Sequence, residues 1–159
     1  MFKIGVVGAG HLGKIHLKIL KNASFVDLIG FYDSDPLVRK NINSELGIKS
    51  FETFQELIEN SDIIDIVTPT LSHYTCAKEA LKQDKHVFIE KPVTHTLDEV
   101  RKLIKIAKIT GKKVQVGHVE RFNPAFTEAS KLIHQPRFIE VHRLAQFNSR
   151  GTDVSVIHD

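Results

Sequence analysis

No stretch restricts the fold of this chain more than FKIGVVGAGHLG at residues 2–13. Lys3–Val7 reads as a buried strand, and Leu12–Asn22 reads as a helix with Leu12, Ile15, Ile19 and Leu20 on one side. Between them Gly8, Gly10 and Gly13 stand at G-x-G-x-x-G spacing. Lacking a Cβ, glycine permits a tight turn at the first position, an approach of backbone to a ligand at the second and close packing of helix on strand at the third. The helix N-terminus then offers unpaired N–H groups and the positive end of its dipole, which suits the phosphates of a dinucleotide. Gly8, Gly10, His11, Leu12 and Gly13 are therefore expected to bind a dinucleotide cofactor, with a merely structural glycine turn as the alternative.

Strand and helix signals go on alternating along the chain. Val26–Tyr32 is a second apolar run and ends at Asp33. Asp35 as N-cap, Pro36 in the first turn and Gly47 as a left-handed stop delimit the next helix. Ile48–Phe51 is a short strand candidate, Thr53 and Glu56 have capping-box spacing before a short helix, and Ile63–Thr68 is a β-branched strand stopped by Pro69. A helix over Ser72–Gln83, a strand over His86–Ile89, a capping box at Thr96 and Glu99, a helix to Thr110, a stop at Gly111 and a strand over Lys113–Val116 complete the series. Such alternation implies right-handed βαβ units, hence an α/β fold of Rossmann type: a doubly wound parallel sheet with helices on both faces. In that fold a carboxylate at Asp33 accepts the 2′-hydroxyl of the adenosine ribose and repels a 2′-phosphate, which favours NAD over NADP. The other reading of Asp33 is a turn former before Ser34-Asp35-Pro36.

Composition excludes several classes of function. The 159 residues, 42% hydrophobic and 26% charged, suit about one globular domain. The formal net charge is +3, but the basic residues are scattered among acids, which speaks against nucleic acid as a partner. Arg101, Lys105, Lys108 and Lys112 recur at helical spacing and read as a solvated face, with a surface for an acidic partner as the alternative. Cys76 is the only cysteine, and Met1 leads straight into the first strand without a leader pattern, so a cytoplasmic protein is expected. The most apolar stretch, IIDIVTP, is interrupted by Asp65 and too short to cross a bilayer, so no membrane partner is expected. The 9 histidines include no H-E-x-x-H pattern, and no metal is expected. His16, beside Leu12 and Ile19, reads as a half-buried packing histidine rather than a ligand contact.

Ligands of open α/β sheets bind beyond the carboxyl ends of the strands. Three such ends carry polar residues: TPTLSH at Thr68–His73, EKP at Glu90–Pro92 and GHVERFNP at Gly117–Pro124. These stretches, with GVVGAGHLGKIH (Gly5–His16), FYDSDP (Phe31–Pro36), DIVTPTLSH (Asp65–His73), FIEKPVTHTLDE (Phe88–Glu99) and VGHVERFNPA (Val116–Ala125), are those of a known group. The chain resembles the Gfo/Idh/MocA oxidoreductases, the family of glucose-fructose oxidoreductase and inositol dehydrogenase, over nearly its whole length and in the right order. EKP is the family's most specific mark, and GHVERFNPA is most similar to members acting on nucleotide sugars such as UDP-N-acetylglucosamine.

The resemblance implies an NAD-dependent dehydrogenase or reductase that moves a hydride between nicotinamide and a hydroxyl or ketone of a sugar, polyol or nucleotide sugar. It makes Lys91 catalytic as well as cofactor-binding: an ammonium placed where negative charge develops on the substrate oxygen. Glu90 is implied at the nicotinamide ribose, with a helix cap or a lysine partner as the alternative. Pro92, with its fixed φ and access to a cis bond, would turn the chain so that Lys91 faces the crevice. Thr68, Pro69 and Thr70 are implied along the nicotinamide side through their backbone, and His73 stands near them as a cofactor residue or as a helix-start residue. Arg121 either meets an anionic substrate or the cofactor, or pairs with Glu120 or another surface acid. A dinucleotide-binding sensor or assembly subunit without turnover is the reading from another class.

Residues 1–118 are thus expected to form the NAD-binding domain and 119–159 the beginning of an α+β second domain, truncated in this chain. Family members carry their substrate pocket and usually their dimer interface there, which implies a homo-oligomer for the full-length protein. Asn123-Pro124 opens a helix to about Ile133, and RFIEVHRLAQF, residues 137–147, alternates like an antiparallel strand. The Asp of the family's D-x-x-x-H signature aligns best with Asp159, the second implied catalytic residue, its His lying beyond; Asp153 is a weaker alternative.

Overall fold

The computed structural model describes residues 1–140 and residue 142. Five strands, β1 (Phe2–Val7), β2 (Val26–Tyr32), β3 (Ile63–Ile66), β4 (His86–Ile89) and β5 (Val114–Val116), form one sheet in the order β2-β1-β3-β4-β5. Every neighbouring pair is parallel. Parallel strands need long crossovers, and helices supply them here: α1 (His11–Lys21), α2 (Pro36–Leu46), α3 (Phe54–Asn60), α4 (Thr70–Lys82) and α5 (Leu97–Thr110). A 3₁₀ turn at Val119–Phe122 and helix α6 (Pro124–Ser130) follow.

Two cores lie on opposite faces of the sheet. On one face Val6, Phe31 and Val67 pack with Leu17 of α1 and Ile42 of α2. On the other, Val7, Ile64, Ile66, Val87 and Ile89 pack with Leu57 of α3, Ala77 and Leu81 of α4 and Leu103 of α5. Strand residues with side chains to both faces explain the unbroken apolar runs in the sequence. Local signals set the helix ends. The side chain of Asp35 accepts the Leu37 N–H, Thr53–Glu56 and Thr96–Glu99 form complete capping boxes, and Gly47 and Gly111 end α2 and α5 in the left-handed conformation.

Several expectations are corrected. Ile48–Phe51 is not a strand; only Ser50 pairs, as an isolated bridge to Phe31, because the chain must already turn toward the α3 cap at Thr53. The third strand ends at Ile66 and α4 begins at Thr70 rather than Ser72, with Pro69 as its N-cap. The helix opened by Pro124 stops at Ser130, short of Ile133, and buries none of its residues, so no packed face extends it. Residues 137–140 and 142 form no strand, and the remainder of the 137–147 run lies outside the described residues. Asp153 and Asp159 lie outside them too. Among the described residues no helix is long and apolar enough to cross a membrane.

Candidate functional site

Strand order reverses at β1: the chain passes from β1 to β2 on one side and returns to β3 on the other. The loops after β1 and β3 therefore part and leave a crevice above the carboxyl ends, where ligands of such sheets bind. The crevice measures about 950 Å³, and every residue assigned to the cofactor by sequence lines it except Gly13.

Gly13 lies beneath the loop. A Cβ there would meet the Gly8 carbonyl oxygen at 2.0 Å, so α1 packs directly on the turn. Gly8 has a φ of +91° and its N–H donates to Tyr32 O at 2.9 Å; a Cβ would meet Val67 O at 2.7 Å. Gly10 differs, since a Cβ there would meet nothing within 4 Å. It is the N-cap of α1 and supplies no side chain to the first amides of the helix. The three positions thus do what the spacing predicts: a tight turn, an open main-chain face and a close helix contact.

Asp33 closes the next wall. Its Oδ2 accepts the Ala9 N–H at 2.7 Å and its Oδ1 accepts the Asp35 N–H at 3.0 Å, so the carboxylate both forms the turn and reaches the glycine loop. Arg39, the nearest cation in the following helix, donates from Nη1 to Asp33 O at 2.8 Å and from Nη2 to Glu52 Oε2 at 3.0 Å.

The loops after β3 and β4 meet through His73. Its ring is only 1% exposed, with Nε2 2.9 Å from Thr68 O and Nδ1 2.9 Å from Pro92 O. His73 thereby ties TPT to EKP through their backbones. The Lys91–Pro92 bond is cis, and Lys91 is exposed at the rim. Glu90, at the end of β4, is buried and its Oε2 accepts the Lys91 N–H at 3.2 Å. Arg121 is exposed, and the Glu120 carboxylate accepts from Asn123 Nδ2 instead of from Arg121.

One cluster escaped the sequence reading. His16 is half-buried and packs edge-on against the Phe88 ring, but its two nitrogens also meet carboxylates. Its Nδ1 stands 2.8 Å from Asp65 Oδ2 and its Nε2 3.3 Å from Glu90 Oε1. Burial opposes the imidazolium, but the hydrogen bonds and charges of the two carboxylates outweigh it and raise the His16 pKa to about 9. Burial pushes the Asp65 carboxyl up, partly offset by His16, whereas the contacts of Glu90 with His16 and Lys91 hold its carboxyl below the usual range despite burial. The signal was a lone acid inside a β-branched strand, read only as an interruption. Among the described residues no group of three or more His, Cys, Asp or Glu side chains is arranged to hold a metal ion.

An open main-chain turn at a helix N-terminus, a carboxylate beside it and a lysine at the opposite rim define a dinucleotide-binding domain of the oxidoreductase class. The chain belongs to the Gfo/Idh/MocA oxidoreductase family, whose NAD-binding Rossmann-fold model matches residues 2–118. It is 34% identical to UDP-N-acetylglucosamine 3-dehydrogenase of Acidithiobacillus ferrooxidans over 99% of this chain and 50% of that protein. A solved structure of that enzyme superposes with a TM-score of 0.89 over 99% of this chain and 52% of its own, at 33% identity. The NAD(+)-dependent scyllo-inositol 2-dehydrogenase of Bacillus subtilis is 33% identical over 82% of this chain and 40% of its length. The chain thus spans about half the length, or less, of these relatives.

Proposed function

We propose that this chain forms the cofactor-binding part of a cytoplasmic NAD-dependent dehydrogenase that converts a hydroxyl of a sugar, polyol or nucleotide sugar to a ketone, or the reverse. The observation that carries this reading is the meeting of Lys91 and the glycine turn in one crevice. Gly8, Gly10 and the first turn of α1 would hold the pyrophosphate, Asp33 the adenosine ribose, and Thr68, Pro69, Thr70 and Glu90 the nicotinamide end. A bound nicotinamide supplies hydride transfer. Lys91 would bind the substrate oxygen, hold its proton and stabilise the charge that develops there. Residues 1–118 serve as the cofactor domain in this reading, and 119–159 lead toward the substrate-binding region. A nucleotide-sugar substrate is the finer reading, supported by the relative that matches 99% of this chain.

The test has two arms. The 159-residue chain is titrated with NADH by the rise in NADH fluorescence, and it should bind without oxidising any sugar offered with NAD⁺. The full-length gene product is assayed with NAD⁺ on UDP-N-acetylglucosamine, glucose 6-phosphate and inositols, and Lys91→Ala should lower its turnover about a hundredfold or more, since loss of a placed proton-transfer group costs roughly 10²–10⁴. Binding with no turnover by the full-length product on any of them would favour a dinucleotide sensor.

A further inference from the structure

Contacts run from the middle of β3 to the backbone of Lys91, and His16 is their centre. Asp65 and Glu90, on its two ring nitrogens, are 3% and 6% exposed. We infer that His16, anchored by Asp65, is a positioning residue: it holds the Glu90 carboxylate in the orientation that fixes the Lys91 backbone at the crevice rim. This rests on the assignment of Lys91 to the chemistry.

A packing histidine has no use for a carboxylate on each nitrogen. Asp65 lies between Ile64 and Ile66, both 0% exposed, and a carboxylate in such surroundings is unfavourable unless it is paired. Its Oδ1 is buried with no hydrogen-bond partner, which leaves His16 as the partner of Oδ2 to compensate the group. On the far side, a Cβ on Gly117 would fall 2.7 Å from Glu90 Oε1 and 3.1 Å from Oε2. Only a glycine there leaves room for the Glu90 carboxylate, which His16 holds at Oε1 and the Lys91 N–H at Oε2. The Phe88 ring, 6.1 Å from the His16 ring between centroids, packs edge-on and limits the imidazole in turn. With a pKa raised to about 9, the ring is an imidazolium at neutral pH and donates to both carboxylates. Asp65 and Glu90 are the charged groups facing it, from β3 and from the end of β4.

The first measurement needs neither cofactor nor turnover. Carbon-detected NMR of the 159-residue chain between pH 6.5 and 10 should show the Glu90 Cδ and the Lys91 backbone ¹⁵N moving with the His16 ring, all with one midpoint near 9. Both responses should vanish in His16→Phe, which keeps an aromatic ring against Phe88. Asp65→Asn, the second variant should His16→Phe fail to fold, should lower the shared midpoint. A Lys91 backbone that ignores the His16 titration overturns the inference. In the full-length enzyme, His16→Phe should lower kcat about tenfold with little change in KM, and adding it to Glu90→Gln should cost almost nothing more. Full turnover in His16→Phe beside an inactive Lys91→Ala overturns the positioning role alone, whereas full turnover in Lys91→Ala removes the assignment of Lys91 and the inference with it.

Discussion

Gly13 approaches Gly8 so closely that a Cβ on residue 13 would stand 2.0 Å from the Gly8 carbonyl oxygen. The obstacle is main chain, which cannot rotate away as a side chain would. Gly13→Ala should therefore lower the unfolding free energy by about 1–3 kcal/mol, the usual range for overpacking, as read from urea denaturation. It should also weaken NADH binding, because the turn must shift to admit the methyl group. A denaturation midpoint equal to that of the wild type would show that α1 can move off the turn freely.

His73→Ala should cost about 2–4 kcal/mol. The substitution takes the buried ring away from the part-buried carbonyls of Thr68 and Pro92 and leaves a cavity, and a carbonyl that loses its donor costs roughly 1–3 kcal/mol. Thermal or urea unfolding of the purified variant measures it. An unchanged stability would mean that water replaces the ring without penalty.

NADH should bind at least about tenfold tighter than NADPH, a difference of roughly 1.4 kcal/mol. Asp33 faces the crevice, and both guanidinium branches of Arg39 are already engaged by Asp33 O and Glu52. Asp33→Ala should narrow the preference by removing the repelling charge. Superimposable titration curves for the two nucleotides in the wild-type chain would place the ribose elsewhere.

His16 makes stability depend on pH in the alkaline direction. Its pKa is about 9 in the folded chain and about 6.5 when unfolded, so the folded state binds the proton more tightly. The resulting stabilisation is fully present below about pH 6.5, declines as the pH rises through the interval and is lost above about 9. Its size is at most about 3–4 kcal/mol at about 1.36 kcal/mol for each unit. Urea midpoints measured from pH 6 to pH 10 should fall for the wild type and stay level over this window in His16→Phe. A level wild-type profile would mean that the ring is not charged in the folded state.

What could be read from the sequence was what depends on neighbours along the chain. The caps at Asp35, Thr53 and Thr96 and the stops at Gly47 and Gly111 act within one turn, so their spacing alone places them. The glycine turn is likewise local, and with it came most of the crevice. His16, Asp65 and Glu90 come from three separate elements, and only the register of Val6 on Asp65 and of Asp65 on Phe88 brings them together. A histidine at helical spacing among Leu12 and Ile19 looks the same whether its ring meets apolar groups or carboxylates. Alternation at residues 137–140 and 142 gave no strand for a related reason: it describes which face is apolar, and a strand also needs a neighbour to pair with.

The bare glycine turn also limits how domains of this kind can diversify. Main-chain amides are the same in every protein, so a floor made of them holds a phosphate but carries no vocabulary with which to tell one ligand from another. A mutation there either leaves the turn intact or breaks it. Under the proposed function, heritable differences in nucleotide and substrate choice would have only the rim to work on: Asp33 on one side, and the loops that carry Thr68 and Lys91 on the other.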